Sequence, residues 1–329
     1  MHFSTQDLEE AASLVHKVVQ PTPQHAWPLL ADHTGCEVWI KHENHTPTGA
    51  FKVRGGVIYM ESLKTENPSC TGVIAATTGN HGQSLAVAAA NAGLSSVIVV
   101  PRNNSSGKNR AMTAQGARLI VHGEDFQEAF QHAEELSEEL SFHMVPSFHS
   151  KLVLGVASYG LELFRSVNDL HTIYVPIGLG SGICGVIAAR EALGVTTRIV
   201  GVQAEGAPSY ALSFEAKRPI STNRVKTFAA GLATRVPNSE AVAFINRHVE
   251  RIVTVNDTQI LEAQALLLRD THNIAEPAGA AAYAALVKER HKMLNKKIGV
   301  ILSGGNAERD NLLKILSSAA FEENTDFNQ

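Results

Sequence analysis

The 329-residue chain is poor in cysteine, in basic clusters and in long apolar runs, and each shortage removes a class of protein. Its three cysteines, Cys36, Cys70 and Cys184, lie far apart and form no CxxC pair. That excludes a disulfide framework and a structural zinc site, and it fits a reducing cytoplasm. A net charge of −4 with a pI of about 6.4 leaves no dense lysine or arginine patch. Nucleic acid and anionic membrane surfaces are therefore not expected partners. No apolar stretch approaches the roughly 18 residues that a membrane span needs. The opening residues carry acids and lack an apolar core, unlike a secretory signal. Internal repeats, low-complexity segments and obvious linkers are also missing. What remains is a soluble globular composition, 44% hydrophobic and 18% charged, long enough for one large α/β domain or two modest ones.

Short β-branched runs alternate with alanine-rich helical stretches. Strands are expected at residues 72–76, 96–100, 118–121, 172–177, 198–203, 251–255 and 297–303. Helical patterns lie between them, including 84–92, ended by Gly93, and 126–140 with an acidic, solvated face. Strands apolar on both faces point to parallel sheets covered on both sides, hence a doubly wound α/β architecture. The polar tail at 321–329 is expected to fray.

The most conspicuous motif is ambiguous. The strand TIYVPI runs into GLGSGICG and then a helix, so Gly180, Gly182 and Gly185 satisfy GxGxxG, and Glu205 ends the next strand. An NAD-dependent oxidoreductase would show the same arrangement. The physical content is broader, because a glycine turn before a helix offers bare N–H groups and a positive dipole end to any phosphate.

The segment KHENHTPTGAFKVRGG places Lys52 between Phe51 and Val53. An apolar flank lowers an amine's pKa, which favours Schiff-base chemistry, although a lysine taken alone is usually a surface residue. TTGNHGQS, residues 77–84, follows a strand and opens a helix, an anion-accepting start that also carries an amide and an imidazole. KIGVILSGGN ends a strand at Ser303. Together with the glycine loop, these segments resemble the serine/threonine dehydratase family of fold-type II pyridoxal-phosphate (PLP) enzymes. NIAEPAGAAAYAAL is similar as well, although Glu276 alone reads as a first-turn acid favoured by the helix dipole.

The resemblance implies two doubly wound three-layer α/β/α domains of the tryptophan synthase β type. Residues 1–47 plus 149–329 would form a large PLP-binding domain, and 48–148 a smaller inserted one. It implies that Lys52 carries the cofactor and then takes the substrate's Cα proton, and that Ser303 meets the pyridine nitrogen. Phe51, Asn80, Gly178, Leu179, Gly180, Ser181, Gly182 and Glu276 would complete the cofactor site. Thr77, Thr78, Asn80, His81 and Phe126 would meet the substrate. The implied reaction is β-elimination of water from an L-threo-β-hydroxy-α-amino acid, yielding a 2-keto acid and ammonia. Relatives are commonly homodimers.

Departures from the family pattern bear on the substrate. Ala50 stands where serine is common, Leu179 and Ser181 interrupt a tetraglycine loop, and Ala230 replaces an acid. Gly206 and Leu212 occupy the carboxylate positions of a divalent-ion site, so no metal is expected. Thr78 disfavours racemisation. Phe126 falls where serine racemases carry a serine, beside Gln127 at the position of their substrate-binding arginine. It reads either as a helix-start core residue or as the wall of an apolar pocket for a phenyl group. The loops GLGSGICG, GLATRVPN and DTHNIAEPAGA resemble phenylserine dehydratases and ectoine-utilisation dehydratases, so phenylserine joins threonine and serine as a candidate. Hydroxyaspartate would demand a cation for its second carboxylate, and the sequence nominates none. A PLP β-replacement synthase is the other reading on this fold, disfavoured by GNHGQ.

Overall fold

The structure is a computed structural model that describes residues 1–321; the expected fraying beyond Phe321 lies outside the described residues. The strands are β1 (Gln24–Ala26), β2 (Glu37–His42), β3 (Gly72–Ala76), β4 (Ser95–Val100), β5 (Arg118–Val121), β6 (His143–Met144), β7 (Thr172–Pro176), β8 (Arg198–Ala204), β9 (Arg251–Val255) and β10 (Lys297–Leu302). They form a six-stranded sheet in the order β1-β2-β10-β7-β8-β9 and a four-stranded sheet in the order β5-β4-β3-β6. Every pairing is parallel except β1 with β2.

The expected apolar runs form buried parallel strands, with β3 and β7 buried at every residue. Alternate side chains feed two separate cores. In β7 and β8, Ile173, Val175 and Ile199 pack with the helices Ser150–Ser166 and Ser181–Leu193. Tyr174, Val200 and Val202 point the other way, onto the helices Asp257–Thr271 and Pro277–Met293. The smaller sheet repeats the pattern. Val73, Ala75 and Ile98 face Leu85 and Met112, while Ile74, Val97 and Val99 face Ala129 and Ala133. Burial on both faces by period-2 alternation makes each sheet the middle of three layers.

Helix Ser181–Leu193, which follows β7, and helix Pro277–Met293, which precedes β10, cover opposite faces although the two strands are neighbours. A crevice therefore opens at their carboxyl ends, the usual ligand position in an open α/β sheet. Both strands stop just before the candidate residues: β7 ends at Pro176 and β10 at Leu302. The expected strand ends at 177 and 303 thus belong to the loops, which frees Ser303 to face the crevice. The helix expected from residue 84 starts earlier, at Asn80, because the amides of Gly82 and Gln83 already bond back to the Gly79 carbonyl.

Candidate active site

A narrow cleft lies at this crevice, and every residue assigned to the cofactor from the sequence lines it. Its lining also includes Pro176, Gly231, Leu232 and Ala278, which the motifs did not single out. The backbone brings the distant segments together. An isolated antiparallel bridge joins Ala50 to Gly304, and the Phe51 amide donates to the Ser303 carbonyl at 3.2 Å. Lys52, first residue of helix Lys52–Glu66, is thereby fixed against the end of β10. Its own carbonyl accepts from Ser84 Oγ at 2.7 Å, which ties it to the GNHGQS helix.

Lys52 Nζ makes no hydrogen bond or ion pair among the described residues, and it lies 5.1 Å from the Phe51 ring centroid. Burial pushes the amine's pKa down, opposed only by the charge of Glu276. Glu276 caps helix Pro277–Met293, where its carboxylate accepts from Asn80 Nδ2 at 2.7 Å. Burial raises its pKa, while Lys108, Asn80 and Lys52 pull the other way. Asn306 Nδ2 donates to both Asn80 Oδ1 and the Thr48 carbonyl, each at 2.8 Å. The chain of amides thus runs from the lysine loop through Asn306 and Asn80 to Glu276.

The opposite wall is mostly bare backbone. Gly180 has φ +106°, a left-handed conformation that suits glycine, and a Cβ there would sit 2.8 Å from Ala241 Cβ. A Cβ on Gly178 would run into the Gly231 carbonyl. Tyr210 Oη fixes the turn by donating to the Leu179 carbonyl at 2.6 Å. The turn opens helix Ser181–Leu193, whose first N–H groups have no partner within the helix. Ser303 is buried, yet its hydroxyl bonds to no other described residue. An anion cradle, an unpaired half-buried amine and a free hydroxyl fit a phosphorylated aldehyde with a ring nitrogen.

The substrate candidates divide. Asn80 lines the cleft, Thr77 is buried beside it, and Thr78 is exposed. His81 has a buried Nε2 without a partner, and burial together with the charge of Lys52 holds its pKa down to about 3. Phe126 does not belong to the cleft. It is 46% exposed and packs against Phe130 one helical turn on, so it is neither core nor pocket wall here. The acid of the nicotinamide reading is also elsewhere, since Glu205 is exposed and pairs with Lys288 at 3.2 Å. Gly185 serves helix packing, because a Cβ there would sit 2.8 Å from Val156 Cγ1. Among the described residues, no cluster of three or more histidine, cysteine, aspartate or glutamate side chains could hold a metal ion.

Comparison with known families decides between the two phosphate readings, because the model for pyridoxal-phosphate dependent enzymes matches residues 15–304. The chain belongs to that family. It is 31% identical to the L-threonine ammonia-lyase of Thermotoga maritima over 96% of this chain and 78% of the relative. It is 28% identical to the L-threo-3-hydroxyaspartate ammonia-lyase of Saccharomyces cerevisiae, over 94% of this chain and 95% of that one. The processed threonine deaminase isoform 2 of Solanum lycopersicum superposes with a TM-score of 0.88 at 30% identity, covering 96% and 94% of the two chains. The architecture is thus that of a fold-type II enzyme, the cofactor is pyridoxal phosphate, and the activity is of the ammonia-lyase type. No helix of the described residues is long and apolar enough to cross a membrane.

Proposed function

We propose that this enzyme removes water from an L-threo-β-hydroxy-α-amino acid and releases a 2-keto acid and ammonia, with Lys52 as the amine that holds the cofactor. The observation that carries this reading is the half-buried, unpaired Lys52 Nζ in the cleft that the glycine turn and Ser303 also line. Pyridoxal phosphate, when bound, supplies an electron sink for the charge developing at Cα. The backbone amides of residues 178–182 would hold its phosphate, and Ser303 would meet its ring nitrogen with a neutral hydroxyl rather than a carboxylate.

Lys52 takes the Cα proton, and desolvation lowers the amine's pKa, which favours the free base. The start of helix Asn80–Asn91, with Thr77, Thr78 and a neutral His81, receives the substrate carboxylate. Threonine, serine and phenylserine are the candidate substrates. Phenylserine rests on the resemblance of the loops at 178–185, 231–238 and 270–280, without the support once drawn from Phe126. The same reading places residues 48–148 in a smaller domain closing over the rest, in a cytoplasmic homodimer.

The test is chemical. Borohydride should fix the cofactor to the peptide that contains Lys52, and the loaded enzyme should release keto acid from at least one of these amino acids. Label on another lysine, or loaded enzyme inert toward all of them, overturns the reading.

A further inference from the structure

Asn306, which ends the SGGN turn, does not line the cleft but holds a residue that does. Its Nδ2 donates to the Thr48 carbonyl and to Asn80 Oδ1, each at 2.8 Å, which uses both of its N–H groups. Asn80 in turn donates from Nδ2 to Glu276 Oε1 at 2.7 Å. The two ends of this relay accept and do not donate, a backbone carbonyl at Thr48 and a carboxylate at Glu276. They therefore fix its direction. Turning the Asn80 amide over would set its oxygen against the Glu276 carboxylate and its Nδ2 against the Asn306 Nδ2, forfeiting both bonds.

Room for the relay is built into the backbone at both ends. A Cβ on Gly49 would lie 2.5 Å from Asn306 Oδ1, and one on Gly304 would lie 2.5 Å from Glu276 Oε1. Gly49 also has φ +66°, and its carbonyl accepts from the Gly305 amide at 2.9 Å, which clasps the lysine loop to the SGGN turn. The consequence falls on the middle member. Asn80 lines the cleft, its oxygen is engaged by Asn306, and one N–H is committed to Glu276. Its second N–H bonds no other described residue and is what remains for a ligand. At this point the cleft offers a donor and not an acceptor.

Pyridoxal phosphate has one oxygen directly on its ring, on the other side of the aldehyde carbon from the phosphate arm. We propose that Asn306 is a positioning residue, locking the Asn80 amide so that an N–H, and not the carbonyl, is presented to that ring oxygen. The inference rests on the reading that this cleft holds the cofactor at Lys52, and it adds a residue that acts only through Asn80.

The experiment resolves the enzyme, reloads it, and compares by equilibrium dialysis the Kd of pyridoxal phosphate with that of 3-deoxypyridoxal phosphate, which lacks the ring oxygen. Wild-type enzyme should prefer pyridoxal phosphate by about tenfold or more, the scale of one hydrogen bond to a charged group. Asn306→Asp keeps the size but removes both donors, which should turn the Asn80 amide over and lower that preference by about tenfold. Asn306→Ala removes the donors without adding an acceptor. It leaves Asn80 held by Glu276 alone, should lose a smaller part of the preference, and carries the test if the aspartate variant does not fold. A wild-type ratio kept in these variants, even with both ligands bound more weakly, would reduce Asn306 to a structural tie and overturn the proposal. Wild-type enzyme without a preference also overturns it, since Asn80 would then not address the ring oxygen. Borohydride labelling of a lysine other than Lys52 would instead remove the reading of the cleft, and this inference with it.

Discussion

Two lysines sit eleven positions apart in this chain, Lys41 buried and Lys52 half-buried in the cleft, and their surroundings could hardly differ more. Lys41, on β2, is fully buried and saturated: Glu162 Oε2 and the Thr22 carbonyl lie at 2.6 Å and Gln24 Oε1 at 3.1 Å. It belongs to an ionic node in which Arg54 bonds Glu43 at 2.7 Å and Glu162 at 2.6 Å. Lys52 has no such partners. Burial lowers both amines' pKa, but at Lys41 the carboxylates of Glu43 and Glu162 offset it, whereas Lys52 feels only Glu276. Burial alone therefore does not mark a reactive lysine; burial without compensation does. The node is costly to desolvate and worse to break, since removing one member strands the others in a dry interior. It also holds the lysine helix, because Arg54 is two residues beyond Lys52 on the same first turn.

Several substitutions break or sharpen this contrast. Lys52→Ala should cost about 10²–10⁴-fold or more in turnover while leaving the urea midpoint unchanged or raised, because nothing in the fold pairs with its ammonium. A lowered midpoint would make Lys52 structural like its neighbour. Arg54→Met should do the reverse, destabilising the protein by about 3–5 kcal/mol in urea unfolding, since Glu43 and Glu162 lose their shared cation. On the facing wall, Gly180→Ala forces a side chain into left-handed backbone against Ala241. The expected cost is about 1–2 kcal/mol from backbone strain alone, seen as weaker retention of the cofactor on dialysis.

The smallest effect concerns His42, beside Lys41. Trp27 Nε1 donates to its Nε2 at 3.0 Å, its Nδ1 is buried without a partner, and burial holds its pKa down to about 3. The unfolded chain takes up a proton below the ordinary value of 6.5, and the folded one refuses it until about 3. Stability should therefore fall as pH drops from 6.5 toward 3. His42→Gln should flatten that slope by at most about 1.4 kcal/mol per pH unit. An unchanged slope would show that His42 titrates normally.

The sequence made some parts of this molecule legible and hid others for physical reasons. Strands buried on both faces announce themselves by composition, as GVIAA and TIYVP do. β2 was hidden because its sequence, EVWIKH, spends its last positions on two buried polar residues, Lys41 in the ionic node and His42 against Trp27. β1 and β6 are too short to show a period. Within the site, the glycine turn, Asn80 and Ser303 follow recognisable strand ends, whereas Lys52 was read from the resemblance of its flanking segment. Gly231 and Leu232 were not assigned to the cleft, since their place there depends on a loop crossing over Gly178. Phe126 went the other way: its place beside the substrate-binding position of serine racemases suggested a pocket and its helix start a core residue, and tertiary structure turned it to solvent.

The glycine wall also bears on how this enzyme can drift without losing its hold on a phosphate. If the peptide itself does the binding, as proposed, only positions where a Cβ would collide or the backbone turns left-handed are constrained, notably Gly178 and Gly180. The intervening residues can vary. Leu179 directs its side chain toward the apolar core, and Ser181 opens the helix where a small polar residue is at home. The loss of two glycines from the expected run is thus a silent change for the cradle, and a family fingerprint that insisted on them would pass over a working site.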